Sequence, residues 1–229
     1  MIFDLIRNGL STDLIINMCV RVFIIFCILP VHEFAHAYTA HKLGDDTARL
    51  SGRMTLNPLA HVDTFGALMV LLAGFGYAKP VPVNMRNFKS RKQKQSMALT
   101  SLAGPISNII MAFIFLILSN VVILFVSSES QDSSIITYVY IFLYTAASIN
   151  VSLAVFNLIP IPPLDGSRIL NVIIPDKYYY KIMQYERYII LGIFVLIITG
   201  VLDGPISLFS AFIMNILNII ASLPFSLIG

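Results

Sequence analysis

Two histidines four residues apart, with a glutamate beside the first, form the cluster His32-Glu33-Phe34-Ala35-His36. On a helix, residues i and i+4 stand about 40° apart, so both imidazoles leave one face and can grip a single zinc ion. Glu33, one step round the helix, can reach a zinc-bound water as general base. Five residues alone recur by chance, and a polar cluster joining two helices is the competing reading. A catalytic zinc takes three protein ligands and keeps a fourth position open. The best remaining donor is Asp165, in Asn157-Leu158-Ile159-Pro160-Ile161-Pro162-Pro163-Leu164-Asp165-Gly166. The three prolines stop a helix and Gly166 permits a sharp turn. An aspartate beside glycine is commonly only a turn residue. Here that turn reaches the depth of the histidines if the first helix is read from its cytoplasmic end.

The elements that must position these residues are set by composition. Of 229 residues, 57% are hydrophobic and 12% charged, against about 45–50% and about 25% in soluble domains. This excludes a soluble globule, a disordered tail and a disulfide scaffold. It indicates an all-α polytopic membrane protein, a single integral membrane domain over 1–229 with five to six transmembrane helices. Charge-free runs cover 96–128, 133–164 and 204–229, and 182–202 and 22–43 are further spans. The cluster lies in the last of these, where ionisable residues point to function by default. Residues 1–20 read as an interfacial helix or an extension of the first span. The apolar run 64–77 reads as re-entrant: as a helix its 14 residues would reach about 21 Å, short of the roughly 30 Å hydrocarbon core. No signal peptide is expected, because Asp4 and Asp13 interrupt the N-terminal stretch.

Of the 15 Lys and Arg residues, nine lie between Lys42 and Lys94 and four between Arg168 and Arg187. The positive-inside rule therefore assigns 43–95 and 160–181 to the cytoplasm and makes the first span run inward. No basic, aromatic-interleaved patch suggests nucleic acid. The partners expected are the lipid bilayer and a membrane-protein substrate.

The two motifs together carry a family resemblance. An H-E-x-x-H on a membrane helix with N-x-x-P-x-P-P-L-D-G downstream resembles the site-2 protease family of intramembrane zinc metalloproteases. The stretches 51–63, 78–84 and 101–108, the last reading Ser-Leu-Ala-Gly-Pro-Ile-Ser-Asn, are similar to its compact branch, which lacks PDZ and nucleotide-sensing modules. The likeness covers about 30–170; a catalytic core of about 22–170 is followed by additional spans in 182–228. It implies that His32, His36 and Asp165 bind one zinc ion per chain and that Glu33 is the catalytic base. It also implies that Asn108 and Asn157 lie near the site as oxyanion or substrate support. The expected activity is cleavage of a substrate's transmembrane segment near its cytoplasmic side, in the cell membrane. Two other classes compete: a metal transporter using the same ligands, and a protein that binds membrane helices without cutting them.

Several residues receive plainer readings. His41 is about 140° from the face of His36 and is not a ligand. His61 and Asp63 fix a loop. Arg21 snorkels to the outer interface. The cluster Arg86, Lys89, Arg91, Lys92 and Lys94 sets topology near anionic lipid. The segment Ala78-Lys79-Pro80-Val81-Pro82-Val83-Asn84 is too proline-rich for a helix. It is either a stiff linker or a short β element near the cytoplasmic face, whose 79, 81 and 83 edge keeps its N–H groups. The resemblance favours the second, with Val81 and Val83 pairing a substrate strand.

Overall fold

The computed structural model describes residues 12–73, 78–90, 92–126 and 134–225. Among these, the regular structure is helical. Helix α1 (Thr12–Phe23) runs through one π turn (Ile24–Ile28) into α2 (Leu29–Leu43). Pro30 has no N–H to offer the preceding turn, and just ahead of it the Leu29 N–H reaches back to the Ile24 carbonyl. The short helices α3 (Thr47–Leu50), α4 (Pro58–His61) and α5 (Thr64–Ala73) follow. Two long helices, α6 (Gln93–Val126) and α7 (Ser134–Asn157), come next. Helices α8 (Asp165–Leu170), α9 (Asp176–Met183), α10 (Glu186–Ile198) and α11 (Asp203–Ser222) complete the chain.

Among the described residues, four helical stretches are long and apolar enough to cross a membrane: Ile15–Leu43, Gln93–Leu124, Ile135–Asn157 and Asp203–Ser222. They pack through small and branched side chains, including Val20, Ile24 and Ile28 of α1 and the π turn, Ala112 and Leu116 of α6, Ala146, Ala147 and Val151 of α7 and Met214 of α11. Small residues let helix backbones approach closely where lipid supplies no hydrophobic drive. Phe23 meets Phe115 and Phe142 edge-on at 5.7 and 5.5 Å, the arrangement favoured by ring quadrupoles.

Three expectations are corrected. The span expected at 182–202 is interrupted by a turn between α9 and α10, and α10 has only 13 residues, about 20 Å, so four span-length helices stand among the described residues. The short β element is absent among the described residues: 78–84 forms no strand. Pro80 and Pro82 offer no N–H, the Lys79 N–H goes to the His61 carbonyl at 2.8 Å, and the Val81 N–H goes to a side chain, so no ladder can form. The re-entrant excursion at 64–77 is not supported either: what is described is the ten-residue helix α5, with 74–77 outside the described residues. At the N-terminal end, 12–20 belongs to the first helix, and 1–11 falls outside.

The polar residues between α2 and α6 hold the connections. His61 is fully buried and its Nε2 meets the Thr55 carbonyl at 2.7 Å. Asp63 Oδ1 accepts the Gly66 N–H at 2.9 Å, capping α5. Arg21 does not snorkel: its Nη1 donates to the Val70 and Leu71 carbonyls at 3.1 and 3.4 Å. These are carbonyls of α5, so the guanidinium ties the first long helix to α5.

Candidate metal centre

The α2 helix delivers His32 and His36 on one face, both buried, with their Nε2 atoms 3.0 Å apart. The segment after α7 turns through its prolines and starts α8 at Asp165. Its Oδ2 stands 3.4 Å from His32 Nε2 and 3.3 Å from His36 Nε2. Gly166 makes that turn possible: a Cβ there would meet the Leu158 and Ile159 carbonyl oxygens at 2.2 and 2.5 Å.

The third wall is α6. Gly104 lies against the imidazoles so closely that a Cβ would fall 2.4 Å from His36 Nε2 and 2.6 Å from His32 Cε1. One turn earlier, the Thr100 carbonyl receives His36 Nδ1 at 2.7 Å. A carbonyl only accepts, so Nδ1 carries the hydrogen and Nε2 presents its lone pair to the centre. The third donor is the carboxylate of Asp165.

A lone pair of His36 Nε2 and the carboxylate oxygen thus face each other at hydrogen-bond distance, which calls for a cation between them. The three donor atoms fit a zinc ion: tetrahedral ligands at about 2.0–2.1 Å from the metal lie roughly 3.3 Å from one another, and these separations are 3.0, 3.4 and 3.3 Å. His32, His36 and Asp165 form the group of potential metal ligands found among the described residues.

Glu33 is also buried, and its Oε2 accepts the Val81 main-chain N–H at 3.0 Å. Asn108 is buried on α6 with its Oδ1 unpartnered, four residues beyond Gly104 and so on nearly the same face. Asn157 is half-buried and donates to the Leu153 carbonyl of its own helix at 3.0 Å. Val83 packs with Val81 against Ala37 and Ala48. His41 stays apart, its Nδ1 2.5 Å from Asp46 Oδ1. Sequence reasoning missed Thr100, which acts through its main chain, and Asp45, discussed below. Only the Gly104-Pro105 step on an otherwise unbroken apolar helix hinted that α6 comes close to something.

The model of peptidase family M50 matches residues 20–137 and 119–201. The chain belongs to peptidase family M50. This is the site-2 protease family that the motifs resemble, and the protein is a zinc metalloprotease of that family, with four helices suited to a membrane among the described residues. Among its relatives, YwhC of Bacillus subtilis (strain 168), which carries a zinc-metalloprotease name, is 43% identical over 169 residues, 74% of this chain and 75% of that protein. Rip2 of Mycolicibacterium smegmatis, with a similar name, is 28% identical over 76% of this chain and 65% of its own length. The zinc metalloprotease MJ0392 of Methanocaldococcus jannaschii is 27% identical over 69% of this chain, but the match spans only 35% of that longer protein. No solved structure matches the chain significantly.

Proposed function

We propose that this M50 protease is a multi-pass protein of the cell membrane that cleaves transmembrane segments of membrane-protein substrates near their cytoplasmic side. One observation carries the reading: His32, His36 and Asp165 converge on a point beside Glu33, inside a helix suited to span the bilayer. One zinc ion per chain, held by these three residues, would lower the pKa of its bound water towards 7 and polarise the scissile carbonyl.

The chain's own groups do the rest. Thr100 keeps the His36 lone pair pointed inward. A carboxylate oxygen of Glu33 takes the proton from the attacking water and later gives it to the leaving amine. Asn157 and Asn108 support the oxyanion or the substrate backbone. A helical peptide bond hides its carbonyl in a hydrogen bond, so the substrate must unwind. The strand pairing expected of Val81 and Val83 is not part of this reading, because the Val81 N–H already goes to Glu33 Oε2.

The test is co-expression of a tagged library of single-span proteins with wild type and with Glu33→Gln. Mass spectrometry would read new termini. New termini near the cytoplasmic ends of spans, present only with wild type, support the reading. Termini that persist with Glu33→Gln overturn the role of Glu33. A protein that moves zinc across vesicles equally well in both forms would be a transporter, and one that binds membrane helices equally well in both without cutting them would be a scaffold.

A further inference from the structure

The segment that touches Glu33 is pinned elsewhere. At its start, Lys79 N donates to the His61 carbonyl at 2.8 Å and Arg53 Nη2 donates to the Pro80 carbonyl at 3.1 Å. In its middle, Val81 is buried among Ala37 of α2, Ala48 of α3 and Val83. At its end, Asn84 N donates to Asp45 Oδ2 at 2.6 Å and Asn87 Nδ2 donates to Asp45 Oδ1 at 3.0 Å. The same Asp45 Oδ1 accepts the Thr47 N–H at 3.0 Å and the Thr47 hydroxyl. Lys89 N returns to the Leu43 carbonyl, the last residue of α2, at 3.1 Å.

Asp45 is thus a fully buried carboxylate, held by four neutral donors and by none of the described ion pairs. Burying a charge costs stability unless every oxygen is hydrogen-bonded. What the arrangement achieves is geometric. It welds the segment 84–87 to the end of the helix that carries Glu33, and so fixes where the Val81 N–H stands. Pro80 and Pro82 flank Val81, and with φ locked at both the position of one end is transmitted to that N–H.

We propose that Asp45 is a positioning residue for the cleavage reaction: through Asn84 and Asn87 it holds the Val81 N–H on Glu33 Oε2, which orients the carboxylate for proton transfer. The inference rests on the reading of Glu33 as the base. It adds a residue outside both motifs, 12 positions beyond Glu33 and not a metal donor. Asp45→Asn is close to isosteric, yet it turns one oxygen into a donor that must face either Asn84 N–H or the donors of Thr47 and Asn87. The latch therefore breaks without a change of size.

The experiment uses the full chain in detergent, labelled with [15N]valine, zinc-free for exchange and zinc-loaded for activity. Because 80 and 82 are prolines, Val81 supplies the one N–H of that tripeptide. Val81 amide exchange should quicken at least tenfold in Asp45→Asn and in Glu33→Ala, while Val151 and Val155 in α7 keep wild-type rates. Zinc content of Asp45→Asn should match wild type. On the single-span reporter cut fastest in the comparison above, kcat should fall at least tenfold with KM within twofold. Adding Asp45→Asn to Val81→Pro, which removes the N–H outright, should cost nothing further, because both act on one interaction. If Asp45→Asn fails to fold, Asn87→Ala, which deletes one donor, should give the same pattern at about threefold in exchange and kcat. Wild-type exchange at Val81 in the folded variants, or losses that multiply in the double variant, would overturn the proposal. Persistent cleavage by Glu33→Gln would instead overturn the assignment of the base and leave the exchange result standing.

Discussion

His36 Nδ1 stands 2.7 Å from the main-chain oxygen of Thr100, so the register of α6 against α2 decides which nitrogen of His36 is free for a metal. A metal-ligating histidine is oriented by the group on its other nitrogen. That group here is a backbone atom, fixed by the helix and insensitive to the identity of side chain 100. The same register brings Gly104 against both imidazoles. One helix therefore sets both the tautomer and the space of the centre.

Gly104→Ala follows from this contact. The added methyl would lie 2.4 Å from His36 Nε2, and the α6 backbone behind it cannot retreat without moving the Thr100 carbonyl. Overpacking of this kind costs about 1–3 kcal/mol. Zinc affinity should fall by about tenfold or more, measured by competition with a chromophoric chelator, and cleavage should fall with it. Gly192→Ala, where nothing lies within 4 Å of a new Cβ, should leave zinc binding unchanged.

Metal content tests the donor set directly. Purified protein should hold one zinc per chain by elemental analysis. Asp165→Ala should lose most of it, because it removes the one anionic ligand near His32 and His36. Asp63→Ala should retain it, because that carboxylate caps α5 at Gly66. Full occupancy in Asp165→Ala would mean that another residue supplies the third ligand.

The parts legible in the sequence were those written in side-chain type. His32, Glu33 and His36 announce themselves by spacing, Asp165 by its place behind three prolines, and three of the long helices by runs without charge. What stayed hidden is carried by the backbone. Thr100 and Val81 act through a carbonyl and an N–H that every residue type shares, so their roles leave no mark on composition. Arg21 reads as a lipid-facing charge until α5 brings its terminal carbonyls alongside. The run 182–202 is apolar enough for a span, but the turn at 184–185 shortens its helix, and hydropathy does not register a turn without glycine or proline.

Arg21 offers a further test. Its guanidinium satisfies carbonyls at the end of α5, and hydrogen bonds to a charged group contribute about 1.5–3 kcal/mol. Arg21→Met keeps the apolar stem and removes the donors. Thermal unfolding in detergent should move down by several degrees, and a cysteine placed at Leu72 should be alkylated faster than in wild type. Unchanged alkylation would show that α5 is held by other contacts.

Topology follows from charge placement. A reporter fused after Lys89 should read cytoplasmic and one fused after Ser130 should read external, because α6 is long enough to separate them and the basic residues cluster on the side of Lys89. Both reporters on one side would show that α6 does not cross.

The latch at Asp45 also predicts how stability responds to pH. Burial pushes this carboxyl up, but the donors of Thr47, Asn84 and Asn87 together outweigh it, and the group sits below the ordinary aspartate value of 3.8. A folded-state pKa below the unfolded one means that the unfolded chain takes up a proton more readily as pH falls. The contribution of Asp45 is therefore complete above about pH 5 and is lost as pH drops through 3.8 and on through the lower folded value. Asp45→Asn has no such carboxyl. At pH 7 the variant should unfold at lower temperature than wild type, and the gap should narrow steadily between pH 5 and pH 3. Differential scanning fluorimetry of both proteins across that range checks it. A gap that stayed constant with pH would mean that the Asp45 carboxyl titrates alike in the folded and unfolded chain, and that its four hydrogen bonds do not favour the ionised form.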